Sequence, residues 1–160
     1  MAKALPLFAV NPEGSLAENA PLMLHLRLEE LYHFAPFISD PANVEELHNM
    51  RIAAKRLRYT LEVFASCFTN GGYNAVYGPA KEIQERIGEI HDCDVRVPLM
   101  QDFLERHSQS RPELRLGLEE LEAVERERRQ KLYEDFLAFW KELNGGDYRR
   151  RFLSFLASAE

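Results

Sequence analysis

The fold is decided by residues 47 to 68, which read LHNMRIAAKRLRYTLEVFASCF. At about 100° of rotation per residue, seven apolar side chains of this stretch fall on one side of a helix. They are Leu47, Met50, Ala54, Leu57, Leu61, Phe64 and Phe68. This spacing is typical of a helix packed against a core. Because no part of the chain has a strand pattern of useful length, the sequence predicts an all-α fold.

Beside this apolar side, four groups that can carry positive charge recur at i, i+3, i+7 and i+10. They are His48, Arg51, Lys55 and Arg58, and they are called the basic stripe below. Residues 47 to 61 contain no acid that would neutralise them. Neighbouring cations at this spacing repel one another, so the stripe needs either full solvation or an external source of negative charge.

A second, narrower apolar line borders the basic stripe on its other side. It consists of Ile52, Tyr59 and Val63, and Arg56 lies next to it. Since a solvated face does not usually need apolar surface on both sides, we interpret the stripe as the lining of a cleft or interface that binds a polyanion. A solvated surface stripe is the alternative interpretation.

The next predicted helix, from about Tyr73 to Ile90, carries a similar polar stripe beside its core side. The positions with the same spacing as the basic stripe are Lys81, Gln84, Gly88 and His91. A glycine in a helix interior costs about 1 kcal/mol relative to alanine. Gly88 therefore predicts that another backbone or a ligand approaches this helix closely.

Two motifs in these helices resemble the CHAD domain, an all-helical family named for its histidines. The first is His48-x-x-Arg51 followed by Lys55-Arg56-Leu57-Arg58, and the second is KEIQERIGEIHDCDV at residues 81 to 95. Both occur in the order and spacing of the family, and the resemblance covers residues 15 to 158. It implies a helical bundle with a basic cavity that binds inorganic polyphosphate, in a family with some members on polyphosphate granules.

The resemblance and the charge pattern together define a set of candidate polyphosphate-binding residues. They are His48, Arg51, Lys55, Arg56, Arg58, Lys81, Gln84, Arg128 and Arg27. Arg27 has an alternative interpretation as a surface arginine whose stem covers apolar side chains. Arg128 falls on the apolar line of a long C-terminal helix, where a charge is expensive unless it is paired or faces water or a ligand. It either pairs with Glu125 or lines the basic cavity.

The chain is predicted to begin with an extended arm at residues 1 to 14, followed by one helical domain at residues 15 to 160 with about six helices. Caps are predicted from Ser15 with Glu18, Asn43 with Glu46, Asp94, Ser110 with Glu113, and Asp147. A break is expected between Ile90 and Asp94. The helix that follows Ser110, ending near Leu143, is predicted to be the longest.

Composition limits the classes of protein that the chain can belong to. Its net charge of −6 argues against a general nucleic-acid binder. Cys67 and Cys93 form neither a disulfide framework nor a metal-ligand spacing, which favours a reduced, cytoplasmic location. No apolar run approaches the roughly 20 residues that a membrane span needs, and Pro6 interrupts the short apolar run that a signal peptide would require. A soluble cytoplasmic protein is expected.

The sequence contains no Gly-rich phosphate loop, zinc-ligand spacing or serine elbow. With the resemblance, this predicts non-enzymatic binding of inorganic polyphosphate without a cofactor. Two alternatives stay open. A metal-dependent phosphate-processing protein would use His48, His91, Asp92 and Asp94, if the two motif helices bring them together. A helical protein–protein adaptor would instead use the second apolar line as its contact.

A homodimer is the expected working unit. The chain carries a single copy of the motif, whereas members of the family commonly have two similar halves around the cavity. The line of Ile52, Tyr59 and Val63 also needs a cover, which a twofold partner would supply. Repulsion between two basic stripes would make this pairing depend on a bound anion or on high salt.

Overall fold

The computed structural model describes residues 4–6, 10–68, 71–107 and 112–157, and these contain five α-helices and no strand. The helices are α1 (Leu16–His33), α2 (Val44–Val63), α3 (Tyr73–His107), α4 (Arg115–Gly145) and α5 (Tyr148–Leu156). Short 3₁₀ turns occur at Ala65–Cys67 and Pro112–Leu114. The predicted all-α bundle is confirmed, with a helix count close to the expected six.

Some of the predicted helix caps form and others do not. Ser15 and Glu18 form the expected capping box at the start of α1. Asn43 does not cap α2, because its side chain donates instead to the carbonyl oxygen of Phe37 at 2.9 Å. Asp147 precedes α5 but makes no side-chain cap bond. The predicted pair of Ser110 and Glu113 involves Ser110, which lies outside the described residues.

The predicted break after Ile90 is wrong, because α3 continues through Asp94 to His107. Its core side chains keep a helical period across the expected break, with Ile87, Ile90 and Cys93 all fully buried. The carboxylate of Asp94 accepts a bond from Arg129 Nε at 2.9 Å and is not used as a cap. As a result α3, with 35 residues, is longer than the 31-residue α4 that was expected to be the longest helix.

The core lies where α1, α2, the first two thirds of α3, the end of α4 and α5 meet. The predicted apolar side of α2 is confirmed as its buried side, from Leu47 to Leu61. α5 closes one end of the bundle, where Tyr148 is fully buried and donates its hydroxyl to the carbonyl oxygen of Val76 at 2.8 Å. This packing holds α2 and α3 side by side with their polar faces outward.

The far ends of α3 and α4 extend beyond this core. No residue from 98 to 107 or from 115 to 132 is buried, and these two stretches are called the distal hairpin below. The described part of the predicted N-terminal arm, residues 4–6 and 10–14, is not helical. There the Leu5 N–H donates to Glu30 Oε1.

Candidate functional site

The packing of α2 against α3 places the two polar stripes in contact along their length. His48 Nδ1 lies 3.2 Å from His91 Nδ1, and the two ring centroids are 4.4 Å apart. Further along the helices, Arg58 Nη1 lies 3.5 Å from Gln84 Oε1. The surface between these two contacts is called the α2–α3 groove below.

Gly88 lies in this groove beneath the side chain of Arg51. A Cβ atom built on Gly88 would meet Arg51 Nε at 3.5 Å, which is an ordinary van der Waals distance. The close approach that the glycine predicted is therefore made by a guanidinium group rather than by another backbone. The absence of a side chain at position 88 gives this guanidinium room to lie against α3.

The centre of the groove is a cavity of about 400 Å³ lined by both charge signs. Its lining residues are Arg51, Gln84, Glu85, Gly88, Glu89 and Asp92. Arg51 Nε is buried there without a hydrogen-bond partner. A buried donor of a charged group is costly to leave unpaired, so this position favours a ligand that supplies an acceptor oxygen.

The cations of the groove differ in how they are compensated. Arg58 Nε pairs with Glu62 Oε1 at 2.9 Å, and Lys81 pairs with Glu85 at 3.6 Å. Arg51 and Lys55, in contrast, form no ion pair with any described residue. Lys55 Nζ instead lies 5.8 Å from the centre of the Tyr59 ring. Arg51 and Lys55 are thus the cations most available to an anion.

Sequence reasoning missed the acids that border the groove. Residues 47 to 61 are free of acids, but Glu62 follows directly and lies four residues after Arg58. Lys81 and Glu85 have the same spacing, which places opposite charges side by side on a helix. That spacing was the available signal for both ion pairs.

Burial lowers the pKa of His48 below its usual value, and the nearby His91 and Arg51 lower it further. The fold therefore favours the neutral form of the His48 imidazole. In this form one Nδ1 of the histidine pair donates and the other accepts, which accounts for their short contact. A bound anion would favour the protonated imidazole.

Three of the predicted binding residues lie outside the groove. Arg56 points to the α1 side of α2, where it lines a cavity of about 570 Å³ with Tyr32 and Phe34. Arg27 is buried and pairs with Glu30 at 2.6 Å, so it is not the surface arginine of the alternative interpretation. Arg128 is half-exposed on α4, 3.9 Å from Glu125. Arg56 is separated from the basic stripe by its position around α2, whereas Arg27 and Arg128 belong to α1 and α4.

The four residues of the proposed metal site do not converge. His48 and His91 meet, but Asp94 points toward α4 and pairs with Arg129. Asp92 lies in the groove near Arg51. Within the described ranges, no group of three or more histidine, cysteine, aspartate or glutamate side chains has the arrangement of a metal site.

Comparison with known proteins identifies one family. The sequence model of the family described as CHAD domain matches residues 2–101, which is more than half of the chain. No curated protein and no solved structure matches. None of the helices in the described part of the chain is long and apolar enough to cross a membrane.

Proposed function

The chain belongs to the CHAD domain family, which is associated with polyphosphate binding, and we propose that it binds inorganic polyphosphate through the α2–α3 groove. The observation that carries the proposal is Arg51, a cation with no ion pair among the described residues and with a buried, unpaired Nε. A phosphate oxygen placed in the groove would satisfy this donor.

The other groove residues suit a chain of phosphates better than a single small anion. Lys55 offers a mobile point charge, and His48 gains a proton when negative charge approaches. Arg58 and Lys81 are occupied by Glu62 and Glu85 until a ligand with several charges competes for them. Long polyphosphate meets this requirement because it presents many charges at once, and its binding weakens with salt.

The proposed site includes His48, Arg51, Lys55, Arg58, Lys81 and Gln84. Arg27, Arg56 and Arg128, which the sequence also suggested, have no part in it because of their positions. We propose binding without catalysis. Incubation with polyphosphate, triphosphate and nucleotides, with and without magnesium or manganese, is expected to release no phosphate above background. Turnover that depends on His91 or Asp92 would contradict this.

The binding proposal is tested by titration of the purified protein with polyphosphates of graded length and with orthophosphate. Long chains are expected to bind far more tightly than orthophosphate. Replacing Arg51 and Arg58 together by alanine is expected to weaken binding by several kcal/mol, since a hydrogen bond to a charged group contributes roughly 1.5–3 kcal/mol.

The matched control for this pair is the replacement of Arg115 and Arg150 by alanine. Both are exposed arginines that pair with an acid on their own helix or beside it, away from the groove. Equal affinity of the groove variant and the unaltered protein, with both correctly folded, would overturn the proposal.

The expected partner and location are part of the same proposal. A homodimer would place two copies of the motif together, as in the members of the family that have two, and exposed apolar side chains on the described helices leave surface for it. A cytoplasmic location, with association to polyphosphate granules, follows from the ligand. Fluorescence microscopy of the tagged protein, in cells with and without granules, tests the location.

A further inference from the structure

An exposed apolar ridge runs along the outer side of α3. Val95, Leu99 and Phe103 follow one another at intervals of four residues, and 44%, 62% and 40% of their surfaces are exposed. At this interval successive side chains are offset by only about 40° around the helix. These three residues, called the α3 ridge below, therefore form one continuous strip.

The α3 ridge faces away from α4, although the Phe103 ring lies 4.5 Å from the ring of His107 on the same helix. On α3, Asp94 pairs with Arg129 of α4, and Gln101 bonds to Glu122 of α4 at 2.9 Å. Leu99 lies about 140° from Asp94 and about 160° from Gln101 around the helix, so it faces away from α4. The ridge is also centred at the start of the distal hairpin, which has no buried residue of its own.

The residues around Leu99 are arranged symmetrically in a way that suits a second copy of the same helix. Val95 and Phe103 lie four residues before and after Leu99. Asp92 and Arg106, of opposite charge, lie seven residues before and after it. Both charges fall within about 20° of Leu99 in helical projection, so they extend the same strip.

We propose that the α3 ridge is the surface through which two copies of this chain pair, antiparallel, around a twofold axis at Leu99. Such an axis places a residue that follows Leu99 beside the residue at the same distance before Leu99 in the other copy. Leu99 then meets Leu99, Val95 meets Phe103, and Asp92 meets Arg106. The inference rests on the proposed homodimer and names its surface.

The second apolar line of α2 is less suited to this contact. Tyr59 lies under two cations of its own chain, with Lys55 Nζ 5.8 Å and Arg58 Cζ 5.3 Å from its ring centre. A twofold contact at Tyr59 would bring these like charges together, which is unfavourable. The α3 ridge brings opposite charges together instead.

The pairing would also change the α2–α3 groove. Asp92 lines the groove beside Arg51 and opposes an incoming anion. Gly88 lies about 20° from Leu99 in helical projection, so groove and ridge share one side of α3. Arg106 pairs with Asp102 on its own helix at 2.8 Å. Arg106 of a second copy would exchange this partner for Asp92 or pair with both, neutralise Asp92 and add a cation at the end of the groove. Dimer formation would therefore strengthen polyphosphate binding.

The contact is expected to be weak. Residues 92 to 106 span only about 21 Å of helix, and a single helix pair of this length buries less surface than a standard stable interface. The protein should therefore be a concentration-dependent dimer. Sedimentation velocity over a range of protein concentrations, without polyphosphate, measures this equilibrium separately from anion binding.

The first test compares two exposed apolar residues. Leu99→Asp places two carboxylates on the twofold axis and is expected to raise the dimer dissociation constant roughly tenfold or more. Val63→Asp, at a more exposed position on α2, should leave it unchanged. Circular dichroism checks the helical fold of both. An unaltered protein that is monomeric at every concentration, or a larger effect of Val63→Asp, would overturn the proposal.

The second test exchanges the charges of the predicted pair. Asp92→Arg and Arg106→Asp should each weaken self-association, because each places like charges opposite one another. The double variant restores opposite charges and should recover most of the dimer. A double variant as monomeric as the single variants would overturn the assigned pairing. An unaltered protein that dimerises but does not bind polyphosphate would instead contradict only the groove proposal.

Discussion

The two ends of α3 differ both in their outer face and in what lies beneath it. From Tyr73 to Val97 the helix buries one side in the core, and its outer side carries Gln84 and Gly88 of the groove. From Pro98 to His107 it has no buried side chain, and its outer side is apolar at Leu99 and Phe103. A rigid scaffold thus supports the proposed anion site, and an uncovered hairpin supports the proposed contact.

The largest expected effect is a difference in the free energy of unfolding between variants in the two halves of α3. Ile87→Ala removes a fully buried side chain from the supported half of α3 and should lower the free energy of unfolding by about 2–5 kcal/mol. Leu99→Ala in the uncovered half should change it by less than about 0.5 kcal/mol. Urea unfolding at low protein concentration measures both. Similar losses would mean that the distal hairpin is covered in solution.

The next effect distinguishes cations within the groove. Arg51→Ala should weaken binding of long polyphosphate by about 1.5–3 kcal/mol, because Arg51 forms no ion pair with a described residue that the anion would have to displace. Lys81→Ala should weaken it less, since Lys81 is engaged with Glu85. Isothermal titration calorimetry at constant ionic strength provides the comparison. A larger loss of affinity in Lys81→Ala would show that ion pairing in the free protein does not determine which cation contributes more to binding.

Substitutions at Gly88 test whether polyphosphate binding requires a position without a side chain in the groove. Gly88→Ala should raise the free energy of unfolding by roughly 0.5–1 kcal/mol, because alanine favours a helix and its Cβ would only touch Arg51. Gly88→Leu should displace the Arg51 guanidinium and weaken polyphosphate binding. Thermal unfolding and titration of both variants give the two results. Unchanged polyphosphate binding by Gly88→Leu would show that the position of the Arg51 guanidinium does not matter for binding.

The smallest expected effect is on pH dependence. Because the folded chain lowers the pKa of His48, the stability contribution of neutral His48 is complete above its usual pKa. It is lost as the pH falls from there through the lowered folded value. Polyphosphate affinity should rise over the same window, since the anion favours imidazolium. Thermal unfolding and polyphosphate titration between pH 7.5 and 5.5 measure the fall in stability and the rise in affinity. His48→Gln is the control, and a control that keeps the full pH dependence would show that His48 is not its source.

Local patterns predicted the elements of the bundle well. The spacing from Leu47 to Leu61 predicted the buried side of α2, and the capping box at Ser15 is formed. The break expected at Asp94 failed because an aspartate within a helical period can also pair with a neighbouring helix, here through Arg129. Sequence shows which residues can cap, but the competing partner exists only after the helices pack.

The candidate site divides in the same way. The sequence alone determined that α2 and α3 each carry a polar stripe beside a core side, because helical periodicity is a local property of the chain. Only the tertiary structure decided that the two stripes meet, through His48 with His91 and Arg51 with Gly88. It also placed Arg27, Arg56 and Arg128 elsewhere. Such contacts depend on how the helices are rotated and aligned, and long-range packing of the core sets that arrangement.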